Sequence, residues 1–279
     1  MTERRRIAVI GGGAWGTALA TVASRNGHDV TLYARERQTV DAVNDTHENP
    51  AYLPGVGLPV ELTATDSLEG AVDGADMALI VVPAQTLRIL ARELKAFLPA
   101  GLPLVLCSKG IEKSTGRFAS QVVAEELPDQ PLAVLSGPSF AHDVARGLPT
   151  AVTLAAEDVD LSDRLAAALS GDTLRIYASS DIVGVEAGGA LKNVLALAAG
   201  AIAGRHMGPS AGAAIITRGN RAAWEEVFEE IDRSRWLRGL EPPGRGRTSA
   251  MTVKLDWLLE QRNWDKTIEG NFRDQRSTA

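Results

Sequence analysis

Cysteine is nearly absent from this 279-residue chain. Cys107 stands alone, so no intrachain disulfide can form, which fits a reducing compartment such as the cytoplasm. Histidine is scarce too: His28, His47, His142 and His206 lie far apart, with no metal-ligand spacing. No uncharged apolar run reaches the roughly 18 residues that a membrane span needs, so none is expected. The basic start, residues 1–6, is followed by only four apolar residues before a run of glycines, too short for a signal peptide. An excess of positive charge is also missing. Lys and Arg number 29 against 35 Asp and Glu, and the net charge of −6 gives no sign of a nucleic-acid partner. There are no internal repeats. What remains is 45% hydrophobic and 23% charged, the composition of a soluble globular protein, long enough for one large or two ordinary domains.

What the chain does have is a glycine-rich turn in an informative place. The apolar residues 7–10 run into Gly11-Gly12-Gly13-Ala14-Trp15-Gly16, and residues 17–23 then read as a helix. This is G-x-G-x-x-G with a strand before it and a helix after it, the context in which the pattern binds a dinucleotide. Gly11 allows the tight turn, Gly13 lets the backbone approach a pyrophosphate, and Gly16 lets helix and strand lie close. The first N–H groups of the helix then face the negative charge. The second strand, residues 28–33, ends in Arg35-Glu36-Arg37. An arginine there can pair with a 2′-phosphate, which favours NADP, whereas Glu36 keeps NAD open.

Strand and helix patterns alternate through the first two-thirds. Strands are expected over residues 77–82, 104–107, 132–135, 151–154 and 174–177. Helices are expected over 85–98, 116–126 and 161–169. This alternation predicts a doubly wound, Rossmann-type α/β parallel sheet over residues 1–180. From residue 182 to 219, 18 of 38 residues are Gly or Ala, a density that suits a close-packed central helix opening a helical domain over 181–219.

Two lysines carry the candidate chemistry. Lys109 follows the fourth expected strand in Ser108-Lys109-Gly110, where it can hold a phosphate or polarise a carbonyl, or simply sit in a solvated loop. Lys192 lies in the apolar stretch Gly188-Gly189-Ala190-Leu191-Lys192-Asn193. It must either snorkel out or occupy a prepared site, where desolvation would lower its pKa toward neutrality. Hydride transfer to or from a secondary alcohol needs such a group for the hydroxyl proton, and Lys192 is the candidate for it. Asn193 beside it can hydrogen-bond substrate oxygens.

Taken together, residues 11–20, Asn49-Pro50-Ala51-Tyr52-Leu53-Pro54, Val82-Pro83, Ser108-Lys109-Gly110-Ile111-Glu112, Ser136-Gly137-Pro138-Ser139-Phe140-Ala141, Gly188-Gly189-Ala190-Leu191-Lys192-Asn193 and Ile215-Ile216-Thr217-Arg218-Gly219 resemble NAD(P)-dependent glycerol-3-phosphate dehydrogenase of the bacterial type. The resemblance implies interconversion of dihydroxyacetone phosphate and sn-glycerol 3-phosphate, in the cytoplasm. It implies Lys192 as proton acceptor, Lys109 shared between cofactor and substrate, and Gly137 and Ser139 as substrate contacts. Ala14, Trp15, Arg35 and Ala141 match cofactor positions.

The resemblance is read as stopping at Gly219. The family's later Ser-Arg-Asn segment, which grips the substrate phosphate, has no match after that residue, so strong nucleotide binding with weak turnover is expected. An apolar helix short of partners would favour a homodimer. Residues 220–279 read as an unrelated tail carrying four of the five tryptophans. Within it, Ser234, Trp236-Leu237, Gly239, Asp256-Trp257-Leu258-Leu259, Asn263, Lys266 and Ile268-Glu269-Gly270-Asn271 make residues 224–275 resemble the C-terminal tail of phage-type replication proteins. With 11 Lys and Arg against 11 Asp and Glu, the tail is read as contacting protein rather than DNA.

Overall fold

The computed structural model describes residues 3–205. Met1–Ala190 form one compact unit, and Leu191–Ala279 belong to a second. In the first, the strands are β1 (Arg6–Ile10), β2 (Asp29–Tyr33), β3 (Thr63–Thr65), β4 (Met77–Ile80), β5 (Leu104–Leu106), β6 (Leu132–Ser136), β7 (Thr150–Ala156) and β8 (Leu174–Ser179). They form one 8-stranded sheet in the order β3-β2-β1-β4-β5-β6-β7-β8. The helices are α1 (Ala14–Arg25), α2 (Arg37–Thr46), α3 (Leu68–Val72), α4 (Leu87–Leu94), α5 (Ala119–Glu126), α6 (Ala141–Ala145) and α7 (Val159–Leu169). A further helix, α8 (Ile182–Gly204), starts in this unit and continues past its last residue.

The central strands are apolar throughout because helices cover both faces of the sheet. Alternation along β1 sorts the core. Ile7 and Val9 pack on one face with Leu19 and Val22 of α1 and Val43 of α2, whereas Ala8 and Ile10 pack on the other with Leu90 and Leu94 of α4 and Val122 of α5. This is the expected doubly wound arrangement. The chain travels outward from β1 to β3 and then returns to the other side of β1 with β4. That reversal opens a crevice above the carboxyl ends of β1 and β4, where such folds bind ligands.

Three features depart from the sequence expectation. The pair β6–β7 is antiparallel, whereas the other pairs in the sheet are parallel. The link between them carries the five-residue α6, whose Val144 and Ala145 are buried in the same core as α1, and the chain re-enters the sheet in the opposite sense. The apolar run 77–82 pairs as a strand only to Ile80; Val81 still donates to the Ile10 carbonyl at 2.8 Å, and Val82 and Pro83 turn away over the crevice. Finally, β3, α2 and α3 had no counterpart in the reading. A three-residue Thr-Ala-Thr edge strand carries no apolar run, and only two of the five residues of α3 are buried. The helix expected over 182–219 is described as far as Gly204; residues 206–219 and the tail lie outside the described residues.

Candidate functional site

The glycine loop sits at the mouth of the crevice, and its glycines have different tasks. Gly11 adopts φ +132°, and a Cβ there would run into the Val81 carbonyl oxygen. A Cβ on Gly16 would strike the Gly11 carbonyl. Both glycines therefore let β1, the turn and α1 pack closely. Gly13 differs: a Cβ built on it meets nothing within 4 Å. Its α-carbon faces open space at the start of α1, where the helix presents unpaired N–H groups and the positive end of its dipole.

A cleft of about 360 Å³ opens from this point, lined by Gly13, Ala14, Trp15, Gly16, Val81, Val82, Pro83, Cys107, Ser108, Lys109, Ser139 and Ala141. Of the residues expected to bind a cofactor, Gly13, Ala14, Trp15, Gly16, Lys109 and Ala141 line this cleft. The Lys109 ammonium lies 3.3 Å from the Gly137 carbonyl oxygen and 5.8 Å from the centre of the Trp15 ring, so it spans the cleft from α1 to the turn after β6. Ser108 donates its hydroxyl to the Val82 carbonyl at 2.6 Å, which ties the two strand ends together. Gly137 packs on β7: a Cβ there would come within 2.9 Å of the Val152 α-carbon. Ser139 lies near it, its hydroxyl 3.5 Å from the Gly137 carbonyl. The cleft is chemically quiet at its floor, where burial pushes the Cys107 thiol up to about 12 and keeps it protonated.

A dinucleotide fits these residues on two observations. Gly13 leaves room for a pyrophosphate beside the helix start. The Trp15 indole nitrogen is buried and has no hydrogen-bond partner among the described residues. Arg35 and Glu36 stand apart from the cleft lining, just past the end of β2. Arg35 is 83% exposed and pairs with Glu36 at 3.0 Å. Arg37 is committed elsewhere, to Asp41 and Asp66.

Helix α8 approaches the same end of the sheet within the first unit. Gly189 lies against it so closely that a Cβ would come within 2.6 Å of the Ser136 hydroxyl and 3.8 Å of the Lys109 Cγ. One turn earlier, the buried Glu186 accepts hydrogen bonds from the Ser120 backbone N–H at 2.8 Å and the Ser120 hydroxyl at 2.6 Å. Burial raises its pKa above the ordinary glutamate value. Lys192 belongs to the second unit, and its side chain is exposed. The desolvated environment expected for it is therefore absent from the described residues: an apolar sequence around a lysine does not bury the amine unless neighbours cover it. The Asn193 side chain lies outside the described residues.

Sequence reasoning missed the ionic network behind Lys109. Glu112, three residues on, holds Arg88 through two bonds of 2.9 and 2.8 Å, and Arg88 also reaches Glu125 and Glu126. Arg92 pairs with Glu126 as well. The Arg88 and Thr115 hydrogen bonds hold Glu112 down at about 2, and the Arg92 and Arg88 bonds do the same for Glu126. A depressed carboxylate pKa stabilises the fold above the unfolded value, 4.5, and that contribution is lost as pH falls through about 2. Arg88→Met should therefore melt below the wild type at neutral pH, and the gap should close in acid; melting temperatures against pH check this.

The family model for the NAD-dependent glycerol-3-phosphate dehydrogenase N-terminus matches residues 6–162, more than half of the chain, and the model for the C-terminus matches residues 181–228. The chain belongs to the NAD-dependent glycerol-3-phosphate dehydrogenase family. It is 56% identical over 214 residues to the glycerol-3-phosphate dehydrogenase [NAD(P)+] of Brucella ovis, and 55% identical to that of Mesorhizobium japonicum, each match covering 77% of this chain. It spans 66% and 62% of those relatives' lengths. Among solved structures, glycerol-3-phosphate dehydrogenase from Coxiella burnetii matches with TM-score 0.71 and 38% identity, covering 82% of this chain and 69% of that one. The Saccharomyces cerevisiae enzyme matches with TM-score 0.74 and 26% identity, covering 96% and 82%. The family match runs past Gly219, where the sequence reading ended it, and takes in residues up to 228. It therefore overlaps the start of the segment read as a replication-protein tail. No finding supports that tail reading, and residues 224–275 lie outside the described residues.

Proposed function

We propose that this chain reduces dihydroxyacetone phosphate to sn-glycerol 3-phosphate with NADPH or NADH, reversibly. The single observation that carries the reading is the cleft in which Lys109 bridges Trp15 and Gly137 directly above an open glycine loop. A nicotinamide nucleotide bound there supplies the hydride. Gly11, Gly13, Ala14, Trp15, Gly16, Arg35, Glu36, Lys109 and Ala141 are the residues that would hold it. Lys109, Gly137, Ser139 and Asn193 bind the phosphorylated substrate, Lys109 as a fixed positive charge. Lys192 gives a proton to the substrate's carbonyl oxygen during reduction and takes it back from the hydroxyl in the reverse direction. Its assignment rests on the Gly188-Gly189-Ala190-Leu191-Lys192-Asn193 motif and family membership.

Dihydroxyacetone phosphate-dependent oxidation of NADPH, with glycerol 3-phosphate as product, tests the reading. Oxidation that does not depend on the substrate contradicts it. NADP is the favoured cofactor because Arg35, past the end of β2, is 83% exposed and among the described residues forms an ion pair only with its neighbour Glu36. Arg35→Ala should weaken NADPH binding about tenfold or more, since a hydrogen bond to a charged group contributes ~1.5–3 kcal/mol, and leave NADH binding unchanged. Titration with both nucleotides reads this out.

Two coarser features belong to the same reading. Among the described residues no helix is long and apolar enough to cross a membrane; action in the cytoplasm and as a homodimer is part of the proposal. Contact with a partner protein through residues 224–275 rests on the tryptophan-containing sequence pattern alone.

A further inference from the structure

The glycine loop has a brace that the sequence reading passed over. Asn49 is fully buried, at 0% exposure, and is not part of the cleft lining. Its side-chain amide donates to the Gly12 carbonyl oxygen at 2.9 Å and to the Thr17 hydroxyl oxygen at 2.8 Å, while its amide oxygen accepts from the Tyr52 backbone N–H at 3.3 Å. The chemistry fixes the orientation of the amide: a carbonyl only accepts and a backbone N–H only donates, so the NH2 must face Gly12 and the oxygen Tyr52. The segment that carries Asn49 is also fastened further along, where the His142 ring meets the Pro54 carbonyl at 3.2 Å.

The consequence follows from the peptide bond. The Gly12 carbonyl and the Gly13 N–H belong to one planar trans unit, so they point in opposite directions. Holding the Gly12 oxygen inward turns the Gly13 N–H outward, at the residue whose α-carbon faces open space. Gly12 has no side chain to restrict the flip, so without a partner on its oxygen this peptide could rotate. We propose that Asn49 is a positioning residue for nucleotide binding: it orients the Gly12–Gly13 peptide so that the Gly13 N–H meets the pyrophosphate. This rests on the dinucleotide reading above.

The test compares two ligands by calorimetric titration: NADPH, and 2′-AMP, which shares the adenosine 2′-phosphate end but has no pyrophosphate. Asn49→Leu keeps the size of the side chain but cannot donate to the Gly12 oxygen. It should weaken NADPH binding ~10- to 100-fold, the effect of a buried polar group losing its partner, while 2′-AMP binds as to the wild type. Unchanged NADPH affinity overturns the proposal, and so does an equal loss for both ligands, which would mark a merely structural role. Should Asn49→Leu fail to fold, Thr17→Val removes the second acceptor of the same amide together with the Thr17 hydroxyl's own 3.4 Å bond to the Gly12 oxygen. It should lower NADPH affinity in the same direction, again sparing 2′-AMP, and an unchanged affinity overturns the proposal equally. A wild-type protein that binds neither ligand overturns the dinucleotide reading, and this proposal with it.

Discussion

Lys192→Met is expected to lower kcat for dihydroxyacetone phosphate reduction by about 10²–10⁴-fold, the range contributed by a positioned proton donor. NADPH affinity should stay at the wild-type level, because the residues that would hold the nucleotide lie just after β1, β2 and β5 and at the starts of α1 and α6, not on α8. Lys192→Arg sharpens the test. It keeps the positive charge, but a guanidinium stays protonated at every working pH and cannot exchange its proton. Its kcat should fall nearly as far as that of the methionine variant. A purely electrostatic lysine would instead be rescued by arginine. Steady-state kinetics with a parallel nucleotide titration separates the two roles.

The second large effect divides the glycines. Gly11→Ala places a Cβ against the Val81 carbonyl at a residue whose φ is +132°. The strained backbone costs ~1–3 kcal/mol, and overpacking a filled space adds ~1–3 kcal/mol. The variant should therefore melt well below the wild type and bind NADPH poorly. Gly13→Ala places its Cβ in open space at φ −71°. Its melting temperature should match the wild type, while NADPH binding weakens because the methyl occupies the approach of the pyrophosphate. Thermal melts alongside nucleotide titrations distinguish loss of fold from loss of site. Equal effects at Gly11 and Gly13 would show that the loop's glycines act only in packing.

Much of this arrangement was legible in the sequence, for identifiable reasons. Strands buried on both faces are uninterrupted apolar runs, so β1, β4, β5 and β6 could be read directly, and the glycine spacing announced the turn between β1 and α1. Lys109 was legible because a short polar motif followed such a run. The direction of β7 was not, because a strand's own residues read the same in either sense. Edge strand β3, three residues long with one buried, carried no pattern to detect.

The ionic network around Arg88 draws on positions 88, 92, 112, 125 and 126, and only the fold brings them together. Asn49 was visible as part of a motif, but its work on the Gly12 carbonyl spans 37 residues of sequence. The exposure of Lys192 shows the opposite limit: an apolar local sequence suggested burial that only packing partners could provide.

The most direct test of the central claim is calorimetric titration of the chain with NADPH. If the cleft between Gly13 and Lys109 holds a nicotinamide dinucleotide, binding will saturate at one site per chain, NADH will compete for it, and Gly13→Ala will weaken it without lowering the melting temperature. Absence of saturable binding by the folded wild-type chain, or binding untouched by Gly13→Ala, would contradict the claim.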